Sequence, residues 1–79
     1  MSDDQRLKAL LIEVLLLEDH EYRDSTGPDD VDTWDSLGTV RIVEEVHREF
    51  GYRMVPAEFV TVQSIGDIKS VLRERGVFA

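Results

Sequence analysis

No cysteine occurs in this chain of 79 residues, and that absence decides how so short a polypeptide can hold itself together. A domain of this size buries a modest share of its surface and is marginally stable. It leans on disulfides, a structural metal or well-packed helices. Without thiols, a disulfide framework and a thiolate metal site are excluded. Helix packing remains, and the length suffices for one domain, residues 1–79.

The apolar pattern supplies the helices. Over residues 3–18, Leu7, Leu10, Leu11, Val14, Leu15 and Leu17 recur at spacings of three and four and make one face. Leu16 falls off that stripe and is expected to widen it. Ser2, Asp3 or Asp4 can cap this helix. A second helix is expected over 36–50, with Ile42, Val43, Val46 and Phe50 on its buried face, Asp35 or Ser36 as its cap, and Gly51 ending it. Pro56 suits the first position of a short helix reaching about Val60. Ser64, with Asp67 three residues on, resembles a capping box. Ile65, Ile68, Val71 and Leu72 then give a last helix to about residue 75, stopped by Gly76. No sustained alternation argues for a strand. The expectation is all-α: three longer helices, one short third helix, and a long loop over 19–35 whose anchors are Tyr22, Val31 and Trp34. Loops of that length are more often functional than neutral.

Charge narrows the partners. The net charge is −8, and residues 1–36 hold 11 acids against 3 bases while residues 37–79 balance. A phosphate backbone would be repelled by the first half, which argues against nucleic acid. A basic protein surface would be attracted, although acidic loops also serve solubility alone. The longest apolar run, Val14 to Leu17, is far short of the roughly 20 residues of a membrane helix. The N-terminus carries Asp3 and Asp4 in place of a signal peptide's basic region, so a cytoplasmic protein without membrane insertion is expected.

The chain lacks a self-sufficient enzyme site. His47 lies 11 residues beyond Ser36 on the same expected helix, roughly 16 Å along its axis, too far to activate that hydroxyl. His20, in an acidic loop, reads as solvated. A calcium loop begun at Asp30 would need an oxygen ligand at Trp34, glycine at Asp35 and glutamate at Arg41, and all three fail. No phosphate-binding glycine loop is present. So small a chain is also expected to offer little pocket volume. No catalytic residue and no metal ligand is assigned.

Four landmarks remain in order: "DSLGTV" at 35–40, "EEVHREFG" at 44–51, "VPAEF" at 55–59 and "SIGDI" at 64–68. Together they resemble the acyl carrier protein family, which includes the peptidyl and aminoacyl carriers, over nearly the whole chain. The resemblance implies a four-helix bundle of that type. It implies that Ser36, flanked by Asp35 and Leu37, carries 4′-phosphopantetheine, placed there from coenzyme A by a phosphopantetheinyl transferase. The thiol of that arm would hold cargo as a thioester for a loading ligase or transferase and for downstream biosynthetic enzymes, and the carrier would act as a monomer. Leu37, Val40, Arg41, Glu44 and Val60 are the expected partner surface. Core packing is the competing role for Leu37, Val40 and Val60, and a solvated face for Arg41 and Glu44.

The chain departs from the carriers of bulk fatty-acid synthesis. Asp32-Thr33-Trp34 stands where they have Leu-Gly, Gly38 where they often have an acid, and the second helix carries Arg41, His47 and Arg48. These features are closer to stand-alone carriers of polyketide, nonribosomal-peptide or D-alanylation pathways. A fatty-acid carrier, or a helical interaction module without cofactor, is the alternative. Trp34 is expected either to anchor the loop or to mark a partner surface.

Overall fold

Four α-helices form in the computed structural model, which describes residues 2–78: α1 (Asp3–Leu15), α2 (Ser36–Phe50), α3 (Pro56–Phe59) and α4 (Ile65–Glu74). No strand occurs among the described residues, and the helices form a small bundle around one core. α1 and α2 run antiparallel. Arg6, early in α1, reaches Glu49 at the end of α2 (Nε to Oε1, 2.9 Å), while the Leu15 carbonyl accepts from the Thr33 hydroxyl just before α2 begins (2.5 Å). Leu7, Leu11 and Leu15 of α1, Ile42 and Val46 of α2, and Ile65, Ile68 and Leu72 of α4 are almost fully buried together. Each such side chain contributes about 1.5–3 kcal/mol relative to remaining exposed.

Helix ends follow local chemistry. Ser2 caps α1 in a reciprocal box with Gln5. Asp35 caps α2, its Oδ1 accepting from the Gly38 N–H at 2.9 Å, and Ser36 is the first helical residue. Gly51 closes α2 with φ of 73°. At α4, Ser64 Oγ accepts from the Asp67 N–H, but the Asp67 carboxylate accepts from the Gln63 N–H and not from that of Ser64. The expected box is displaced by one residue.

α1 ends at Leu15, three residues short of the expected end at residue 18 and two before the apolar pattern stops at Leu17. Leu16 sits in the left-handed region (φ 56°, ψ 42°), and the N–H groups of Leu16 and Leu17 both donate to the Ile12 carbonyl. That reversal turns Leu17 into the core and leaves Leu16 76% exposed. Leu16 therefore does not widen the buried face. Phe50 is half-buried, with its ring 5.7 Å from that of Phe78 and the Arg6 guanidinium 4.6 Å above it.

The long connection is pinned to α4 and α2. It contains a 3₁₀ turn, Asp19–Glu21. The Ile65 and Gly66 N–H groups, at the start of α4, donate to the carbonyls of Thr26 (2.8 Å) and Asp24 (3.0 Å). Val31 and Trp34 are buried, so Trp34 is an anchor. Lys69 of α4, only 11% exposed, bridges Asp24 (2.7 Å) and Asp4 (2.9 Å) and lies over the Tyr22 ring. Burial by itself lowers the Lys69 pKa, yet the hydrogen bonds to the two carboxylates hold it above the ordinary value. Burial, then the bond to Asp4, pushes the Tyr22 phenol up to about 12. At the loop's far end, the Thr33 carbonyl lies where a Cβ on Gly38 would stand.

α3 is too short to persist alone. Its Glu58, 8% exposed, accepts from the Val55 N–H (2.9 Å), the Tyr52 hydroxyl (2.8 Å) and Arg75 Nε (3.0 Å). It ties the short helix to the end of α4.

Two expected outcomes follow from these contacts. Gly38→Ala gains about 1 kcal/mol of helix propensity but collides with a backbone oxygen, an overpacking cost of roughly 1–3 kcal/mol. A net loss in urea midpoint is expected, and a stabilised variant would show that Thr33 does not rest there. For Glu58, burial raises the pKa, but the Val55, Tyr52 and Arg75 bonds outweigh it and the folded value lies below 4.5. Its stabilising contribution is complete above that pH and is lost as pH falls through the lowered folded value. The stability gap between wild type and Glu58→Gln should accordingly narrow on acidification below about pH 4.5.

Candidate functional site

Ser36 is exposed at the loop-to-helix corner, and its side chain makes no hydrogen bond to another described residue. The loop before it is fixed by Trp34 in the core and by Thr33 against α1 and Gly38, so the corner is held from both sides. In the first turn of α2, the Gly38 and Thr39 N–H groups are taken by Asp35, through its carboxylate and its carbonyl. The N–H groups of Ser36 and Leu37 have no partner among the described residues, so part of the positive helix end stays open to an anion.

An open groove of about 660 Å³ begins at Ser36 and runs between α2 and α3. Its α2 wall is Ser36, Thr39, Val40, Val43 and Glu44, and its far wall includes Met54, Val55, Phe59 and Val60. The volume falls within the roughly 300–1,000 Å³ of small-molecule sites, contrary to the expectation of little pocket space. A chain this short achieves it by setting α3 apart from α2 and leaving the gap open. Glu44 and Arg53 are the charged lining residues, and neither has an ion-pair partner among the described residues.

The structure brings Ser36, Val40, Glu44 and Val60 together along this groove. Leu37 and Arg41 do not line it. Leu37 points to solvent, at 66% exposure, beside the groove mouth. Arg41 lies in a small cleft between α1 and α2, with Glu13, Glu44 and Glu45 as its acidic neighbours. Val40 is 52% and Val60 80% exposed, so neither belongs to the core. Thr39, Val43, Met54, Val55 and Phe59 were not expected at the site. For the α2 members a signal was present: positions 36, 39, 40 and 43 form one helical stripe starting at the serine. The α3 side depends on where the chain returns, which no local pattern specifies.

Among the described residues, no group of three or more His, Asp or Glu is placed to hold a metal, and no helix is long and apolar enough to cross a membrane. Compared with known proteins, the chain matches no family model, no curated protein and no solved structure.

The exposure pattern separates groove from core in a measurable way. Val60→Ser should change unfolding free energy by less than about 0.5 kcal/mol. Ile42→Ala, in a fully buried position of the same bundle, should cost roughly 2–5 kcal/mol. Comparable losses in the two variants would place Val60 in the core.

Proposed function

We propose that this chain is a carrier protein of the acyl carrier type, modified at Ser36 with 4′-phosphopantetheine and working in a specialised biosynthetic pathway of the polyketide, nonribosomal-peptide or D-alanylation kind. The observation that carries the reading is the position of Ser36: an exposed, unbonded hydroxyl on a rigid corner, opening directly onto an apolar groove. The residues present fit the group. The free Ser36 and Leu37 amides suit a phosphodiester, and Val40, Val43, Met54 and Phe59 offer an apolar bed beside it. When attached, the arm supplies the thiol on which acyl or aminoacyl cargo travels.

The chain's own residues do the rest. Asp35 fixes the first turn of α2 through the Gly38 amide. Leu37, Val40 and Val60 present apolar surface around the attachment point, and Glu44 gives the groove one charged edge. The mixed charges of α2, with Arg41 and Arg48 exposed, favour the specialised pathway over bulk fatty-acid synthesis.

Incubation with coenzyme A and a promiscuous phosphopantetheinyl transferase should add about 340 Da, the mass of the transferred group, and Ser36→Ala should abolish the gain. An unmodified wild-type protein under conditions that modify a control carrier would refute the proposal.

A further inference from the structure

The far wall of the groove is a segment strung between two buried side chains. Met54 is 2% and Val62 8% exposed. Between them, Val55, Pro56, Ala57, Val60 and Thr61 are exposed, and only Glu58 and Phe59 are half-buried. Val55, Pro56, Phe59 and Val60 of this segment line the groove. With one half-buried apolar ring, hydrophobic burial does little to hold it in place.

The Glu58 carboxylate supplies what burial does not. Its bond from the Val55 N–H is internal to the segment and moves with it. The bonds from the Tyr52 hydroxyl (2.8 Å to each oxygen) and from Arg75 Nε (3.0 Å to Oε2) tie the segment to its surroundings. A phenol has a single proton, so Tyr52 serves one oxygen at a time. Arg75 is the one cation paired with Glu58 among the described residues, and it comes from the end of α4. The two side chains differ in exposure, 8% for Glu58 and 56% for Arg75. Water therefore reaches the guanidinium far more readily than the carboxylate. Once Arg75 leaves, Glu58 is a covered charge without a counterion, and moving outward to hydrate it becomes favourable.

We infer that Arg75 and Glu58 form a latch on the groove. With the pair formed, residues 55–61 stand as its far wall. With the pair parted, that segment swings out between Met54 and Val62, and the groove admits groups wider than its present gap. The latch goes beyond the carrier reading and does not depend on it.

A thiol reports the motion, because the chain has no cysteine of its own. Met54 lines the groove yet is covered, so Met54→Cys marks the state of the wall. Val46→Cys, at a fully buried position of α2, marks opening of the core. Alkylation by iodoacetamide follows the open fraction when opening and closing are fast. Adding Arg75→Met to the unmodified protein should speed labelling at position 54 about tenfold, the size of losing one charge-assisted hydrogen bond. Labelling at position 46 should stay within about twofold, and melting should be nearly unchanged because Arg75 is at the surface. Arg75→Lys, which keeps a cation, should restore most of the protection. In Arg75→Met protein without an added cysteine, exchange of the Val62 amide, bonded to the Phe59 carbonyl, should rise in parallel, so the test survives if Met54→Cys does not fold. Unchanged labelling at 54 with unchanged Val62 exchange overturns the latch. An equal rise at 54 and 46 overturns it too, since Arg75 would then support the whole core. Neither outcome bears on the mass gain at Ser36, which tests the carrier reading separately.

Discussion

Two backbone hydrogen bonds, from the Ile65 and Gly66 amides to the carbonyls of Thr26 and Asp24, make the rest of the architecture possible. A chain with no disulfide must immobilise its longest connection by other means, and ordering each residue costs about 1–2 kcal/mol in backbone entropy. The first amides of α4 need acceptors, and the loop needs partners for its carbonyls. Each satisfies the other. Gly27 and Gly66 permit the close approach, since a Cβ on Gly27 would collide with the Gln63 carbonyl and one on Gly66 would crowd Asp24. With the middle of the connection fixed on α4, Val31 and Trp34 can enter the core, and the start of α2 has a defined place.

The electrostatics divide along the same lines. Lys69 spends its charge internally, joining Asp4 and Asp24 across three segments of chain. Arg6 likewise serves the end of α2, donating to both the carboxylate and the carbonyl of Glu49. Lys69 and Arg6 thus act as fasteners between segments distant in sequence, whereas Arg41 and Arg53 stand outside the ion pairs.

Much of the fold was legible from residue spacing. α2 was read to its last residue because its stripe, its aspartate cap and its closing glycine agree. α3 was equally clear from Pro56. α1 was read three residues too long, because apolar periodicity continues through Leu17 while the backbone reverses at Leu16; a left-handed leucine has no composition signal. The site was legible in part. Ser36 and Val40 lie on a helical stripe, and Val60 follows α3. Leu37 and Arg41 face elsewhere by about one helical position, a difference that needs the location of α3 to decide. Gly38 was read as a departure from a pattern, and only the nearby Thr33 carbonyl explains it.

The groove has walls of unequal character. α2 is 15 residues long and packed along one side into the core, whereas α3 has 4 residues and none of them is buried. α3 is held largely through Glu58, by bonds from its own entry turn, from Tyr52 and from Arg75. Such an element can shift without opening the core, because few buried apolar contacts resist it. The aperture beside Ser36 is therefore adjustable from one side. The wall of the groove opposite α2 thus takes its place from a carboxylate whose partner, Arg75, stands at the end of α4.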